Sequence, residues 1–170
     1  MGTRSILQGA ASHPYHLSVG AVLVNDQNEV VCHYVREPLA GAPGEYRHAG
    51  NFYLLMRETP HAGETFEETL HRGLLEEFGA TGEIVMFLGS QQGIFKADAF
   101  ELKKTTIYFL VRMTSLDEKK RNKDELEGKG DIVFLPLTEC IAKMKAQWER
   151  LHIETLNEAE IVERAKSFLV

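Results

Sequence analysis

Residues 62–80, AGETFEETLHRGLLEEFGA, constrain the chain more than any other stretch, because they specify a helix with a start, a buried face and a stop. Thr65 with Glu68 three residues later is a capping-box pattern, in which each side chain satisfies a backbone N–H that the first turn leaves unpaired. Phe66, Leu70, Leu74 and Phe78 recur every four residues as one apolar stripe, and Gly79 supplies the positive φ that commonly ends a helix. At about 100° per residue, Gly73 and Glu77 fall beside Phe66 at one edge of that stripe, with Arg72 and Glu76 further round. A carboxylate is therefore aimed at the rim of the core, where an ionised group is costly unless it is paired or bound to metal. Spacing alone favours the plainer alternative, a solvated helix edge, for which glutamate is a good helix former.

Gly63-Glu64, Arg72, Leu74, Glu76-Glu77 and Gly79 resemble the core of the Nudix box, G-x5-E-x7-R-E-U-x-E-E-x-G-U with U aliphatic, over roughly its last three-quarters. The resemblance implies an α/β fold, a Nudix-like α/β/α sandwich with a mixed central β-sheet. It also implies hydrolysis of a nucleoside diphosphate linked to another group, using Mg²⁺ or Mn²⁺ and water. Carried onto this chain, it makes Glu77, Glu76 and Glu64 the metal ligands and has Arg72 orient Glu76. The base is then Glu76 or a glutamate from the loop after the longest strand, where Glu127 is the leading choice and Glu125 and Asp131 are further candidates by position.

The chain departs from that pattern twice. Glu58 stands at the first glycine of the box, and Gly73 stands where the arginine should be followed by a glutamate. In the family that glutamate and the second of the Glu-Glu pair sit one turn apart and both bind metal, an i, i+4 pair suited to a hard cation. A mid-helix glycine costs about 1 kcal/mol relative to alanine, so helix stability does not explain it. Three explanations stay open: another ligand fills the gap, a close approach is wanted there, or catalysis has weakened. A hydrolase thus stands beside a Nudix-fold nucleotide-binding or regulatory module, and beside a non-enzymatic interaction domain unrelated to the family.

At 170 residues and 44% hydrophobic content the chain suits one domain over 1–170, with 1–15 a loose N-terminal arm. A formal charge of −6 argues against general nucleic-acid binding, and a metal ion would have to offset repulsion of an anionic diphosphate. Cys32 and Cys140 lack metal-ligand spacing and suit buried thiols in a reducing compartment. With no signal-peptide pattern and no apolar run of membrane-spanning length, the expected location is cytoplasmic and no membrane partner is expected. The family resemblance implies a homodimer.

Along the chain, residues 16–24 and 29–35 read as a hairpin around a turn at 26–28, and residues 37–50 as a long loop dense in glycine and proline. Residues 51–56 form the next strand and lead into the helix through Arg57, Glu58 and His61. Arg57, His61 and Lys103 are the candidate substrate contacts, although His61 also suits an ordinary surface loop and Lys103 a solvated strand mouth. His33 reads as a strand-face side chain without a nearby partner. After the helix come a short strand at 83–88, a turn at 89–93, the longest strand at 103–113 and a charged loop at 115–130. A last strand at 131–136 and helices at 138–147 and 157–169 complete the order. Phe95 and Phe100 suit core packing better than base stacking.

Overall fold

A computed structural model describes residues 8–124 and 129–169, so Glu125 and Glu127 lie outside the described residues. The central helix, α1 (Phe66–Phe78), is closed at its start by the expected box: Thr65 Oγ1 accepts from Glu68 N–H at 3.2 Å, and the Glu68 carboxylate accepts from Thr65 N–H at 2.8 Å. It stops at Gly79, whose φ is 69° and where a Cβ would lie 2.0 Å from the Asp117 carbonyl oxygen, so only glycine fits. Leu70, Leu74 and Phe78 are fully buried, whereas Phe66 is 40% exposed; the buried stripe therefore begins one turn later than its spacing suggests.

The strands are β1 (Tyr15–Val24), β2 (Glu29–Val35), β3 (Phe52–Leu54), β4 (Met56–Glu58), β5 (Ala80–Lys96), β6 (Glu101–Leu116) and β7 (Asp131–Pro136). Among the described residues they form one sheet in the order β3-β2-β1-β6-β5, with β4 also on β1 and β7 also on β2. The β1–β6 pair is parallel and the other pairs are antiparallel, so the sheet is mixed. Alternation along β1 sends Val19, Ala21 and Leu23 under α1, and Val22 and Val24 to the opposite face. There α2 (Leu137–Leu151) and α3 (Ala159–Lys166) contribute Met144 and Val162 to a second core with Cys32, Tyr108 and Leu110. Helices on both faces make an α/β/α sandwich and explain why β1 is apolar almost throughout.

Three sequence expectations change. The turn at 89–93 is continuous strand, because Gly89 (φ 125°) sits at a shift of register against β6, a bulge rather than a reversal. The strand at 51–56 divides at Leu55: β3 pairs with β2, and β4 pairs with β1. The chain thereby crosses from one neighbour to the other. The arm expected over 1–15 folds, from Gln8 onward, against β1, with a bridge between Ala10 and His13 and a bond from Gly9 N–H to His16 Nδ1 at 3.2 Å. Cys32 and Cys140 are buried free thiols as expected, and their sulfurs lie 3.7 Å apart. Among the described residues no helix is long and apolar enough to cross a membrane.

Candidate active site

Arg72, nearly two turns into α1, gathers the carboxylates. Its Nε donates to Glu64 Oε1 at 2.7 Å and its Nη2 to Glu64 Oε2 at 2.9 Å, a forked pair of charge-assisted bonds. Its Nη1 donates to Glu76 Oε2 at 3.2 Å and lies 3.3 Å from Glu58 Oε2. Nη2 also caps the Thr59 carbonyl at 2.9 Å. Three carboxylates from three consecutive stretches of chain thus share one guanidinium. The bonds from Arg72 hold the Glu64 carboxyl down at about 2, and burial opposes them.

Glu64 also accepts from His61 N–H at 2.8 Å and from Thr69 Oγ1 at 3.0 Å. With Oε2 accepting three bonds and Oε1 bound to Arg72, Glu64 anchors the guanidinium. Glu76 keeps a third of its side chain exposed and points along the same face.

Glu77 is 2% exposed, and its Oε2 lies 2.8 Å from His33 Nε2. Burial, and then the positive fields of Arg121 and Arg57, push the His33 imidazole down to about 3, so it is neutral near pH 7 and donates Nε2–H to Glu77. His33 stacks on Phe78 with ring centroids 4.3 Å apart, and its buried Nδ1 finds no hydrogen-bond partner among the described residues. No local signal announces this partnership, since His33 and Glu77 are 44 residues apart.

The loop after β6 clamps the end of α1. Asn122 N–H donates to the Glu76 carbonyl at 2.8 Å, and Arg121 donates from Nε to the Glu77 carbonyl at 2.7 Å and from Nη2 to the Gly130 carbonyl at 3.0 Å. The charged stretch expected to be a solvated loop therefore holds the two adjacent glutamates in place through their backbone.

A cavity of about 470 Å³ opens beside this array and has Glu58 and Glu77 in its lining. Tyr46, Phe95 and Phe100 supply aromatic wall, and Lys104 a positive charge. Phe95 and Phe100 are only partly buried and face this space, which corrects their assignment to the core. Arg57 lines the cavity as well, but its guanidinium is 8% exposed, donates to the Thr155 carbonyl and Tyr46 hydroxyl, and lies 3.7 Å from Glu158. Its charge is thus already engaged within the wall by Glu158 and the Thr155 carbonyl. Lys103 is set apart too: it stands over the Tyr15 ring in a separate cavity of about 540 Å³ that none of the α1 carboxylates line. His61 remains on the surface, 65% exposed.

The donor set suits a hard divalent cation. Glu58, Glu64, Glu76 and Glu77 offer carboxylate oxygens, which are what Mg²⁺ and Mn²⁺ prefer. Gly73 adds a notch in the helix surface, where a Cβ would come within 2.8 Å of the Glu58 Cβ. Among the described residues, no three acidic, histidine or cysteine side chains already converge as a cage; three of the carboxylates turn toward Arg72 instead.

A family model described as NUDIX domain matches residues 14–156. No match is found among curated proteins. Among solved structures, the chain is similar to the MutT protein from Methanosarcina mazei Go1, with TM-score 0.58 and 19% identity over 92% of this chain and 96% of that one. It is similar also to a NUDIX hydrolase from Nitrosomonas europaea, with TM-score 0.61 and 16% identity over 89% and 88% of the two chains. At such identities the likeness concerns the fold, and membership rests on the family match that spans β1 through the turn before α3. The chain belongs to the NUDIX domain family.

Proposed function

We propose that the protein is a hydrolase that cleaves a nucleoside diphosphate linked to another group, with Mg²⁺ or Mn²⁺ and water. The observation that carries this reading is the carboxylate array on α1 opening onto an aromatic-walled cavity with Glu77 in its lining. A bound cation there would polarise a phosphoryl oxygen and make water a better nucleophile at neutral pH. Glu76 and Glu77 are the residues of the helix that would hold it, and the chain's own groups prepare them. Arg72 fixes Glu76 from the front, His33 fixes Glu77 from behind, and the 117–124 loop pins both through their carbonyls. Glu76, a third of whose side chain is exposed, would take a proton from water, with Glu127 the loop candidate for the same role. Lys104 offers charge to a phosphate, and Phe95, Phe100 and Tyr46 offer faces to a base. The same reading takes residues 1–170 as one cytoplasmic domain, without general nucleic-acid binding, acting as a homodimer.

Assaying purified protein against nucleotide sugars, dinucleoside polyphosphates, ADP-ribose and oxidised nucleotides tests the reading. Turnover should require Mg²⁺ or Mn²⁺, stop on chelation, and fall about a hundredfold or more in Glu76→Gln, the scale of a lost base or ligand. Absence of metal-dependent turnover across that panel, with nucleotide still bound, would favour a second reading that Gly73 supports: a binding module that has lost catalysis. Family membership leaves no place for an unrelated interaction domain.

A further inference from the structure

Two departures from the box pattern lie 15 residues apart in sequence, Glu58 at a glycine position and Gly73 at a glutamate position, and each alone looks like a loss. In the fold they touch. Glu58 ends β4, Gly73 lies in the middle of α1, and a Cβ built on Gly73 would stand 2.8 Å from the Glu58 Cβ and 2.7 Å from Met56 Sδ. The methionine tip could swing away, but the Glu58 Cβ is fixed to strand backbone, so side chains at both positions exclude one another. A carboxylate can therefore come from the helix or from the strand, but not from both without moving β4 away from α1.

Here it comes from the strand. Glu58 Oε2 lies 3.3 Å from the same Arg72 nitrogen that binds Glu76 at 3.2 Å, so the two carboxylates share one donor. Thr59 N–H donates to Glu58 Oε1 at 2.8 Å and sets its orientation. Glu58 and Glu77 line one cavity. The geometry points to Glu58 as a divalent-cation ligand that takes the place of the carboxylate absent at position 73, with Gly73 as the notch that admits it. The inference rests on the metal-dependent reading above. It replaces an i, i+4 pair on a single helix by a pair that spans two elements.

The test uses Mn²⁺ alone, followed by calorimetry and by the electron paramagnetic resonance signal of free ion, on the full chain. Glu58→Gly and Glu58→Asp, the second keeping the charge but shortening the reach, should each weaken Mn²⁺ binding about tenfold or more, as loss or misplacement of a coordinating group does. Gly73→Glu alone should lower the melting temperature through the clash. The exchange variant, Glu58→Gly with Gly73→Glu, should recover Mn²⁺ affinity to within about threefold of the parent, against the tenfold loss of Glu58→Gly. Should the exchange variant fail to fold, Glu58→Asp decides the matter. Unchanged Mn²⁺ binding in the Glu58 variants, while Glu76→Gln abolishes it, would overturn the relocation and leave the hydrolase reading standing. A parent that binds no Mn²⁺ would overturn both.

Discussion

Arg72 is the residue on which the array depends, because it holds Glu58, Glu64 and Glu76 together at 18% exposure of its own side chain. Replacing it by alanine leaves three half-buried carboxylates facing one another without the cation, and breaking such a pair costs about 3 kcal/mol when well buried, less where water reaches it. Arg72→Ala should therefore lower stability by about 2 kcal/mol in urea unfolding, while Arg72→Lys, which loses the fork, should recover only part. Recovery of full stability by lysine would show that charge, not geometry, matters. His16 gives a separate test by pH. Burial first, then Lys104 and Arg57, push its imidazole down to about 4, while Nδ1 accepts from Gly9 N–H and Nε2 lies 3.1 Å from both Ser18 Oγ and Thr59 Oγ1. A lowered value means that the unfolded chain takes up the proton first, so this contribution is complete above pH 6.5 and is lost as pH falls through 4. The ring should titrate by NMR near 4, and His16→Gln should flatten the stability profile across that window. A midpoint near 6.5 would mean that the ring is not enclosed as described.

At the scale of elements, the clamp between the 117–124 loop and α1 is the junction most open to test. Arg121→Ala removes bonds to the Glu77 and Gly130 carbonyls, each worth about 1 kcal/mol net. Limited proteolysis within 117–130 should accelerate, with stability down by about 1 to 2 kcal/mol; a protease-resistant variant would deny the loop its role. Most elements were legible from the chain because their signals are local: the Thr65–Glu68 box, Gly79 and the turn residues at 26–28 lie within a few residues. What escaped depends on contacts distant in sequence. Nothing around residue 55 announces that the strand changes partner there, since the cause is Leu55 N–H donating to Glu158 Oε2 at 2.9 Å. Likewise Gly89 to Gly93 carry turn chemistry, yet pairing with β6 keeps them extended. In the site, Arg72 and the Glu76-Glu77 pair stood out only through the resemblance to the Nudix box, since spacing alone suited a solvated helix edge equally well. His33 and Glu58 were not, because their roles arise only when β2 and β4 pack against α1. The one available signal for Glu58 was the reciprocal exchange with Gly73.

Across the whole molecule, the buried carboxylate of Glu158 joins the α2–α3 layer to the sheet and to the cavity wall. At 1% exposure it accepts from Leu55 N–H at 2.9 Å and from the Tyr108 hydroxyl at 2.5 Å, and it lies 3.7 Å from Arg57 Nε. Arg57 in turn donates to the Thr155 carbonyl and the Tyr46 hydroxyl, so the link runs from α3 through β4 to the loop that closes the cavity. Removing one partner of a buried charged pair costs about 3 to 5 kcal/mol, because the other charge is left uncompensated. Glu158→Ala should fall in that range by urea unfolding, and Glu158→Gln, which preserves an acceptor for Leu55 N–H, should lose less. Combining Glu158→Gln with Arg57→Met removes both charges and should be more stable than Glu158→Gln alone, since no cation is stranded. Because Tyr46 then loses its bond from Arg57, the double variant should, under the proposed hydrolase reading, also raise KM more than it lowers kcat, the sign of a disturbed binding wall with α1 intact. A loss confined to kcat would place Arg57 at the reacting phosphate instead and return it to the role its sequence position suggested.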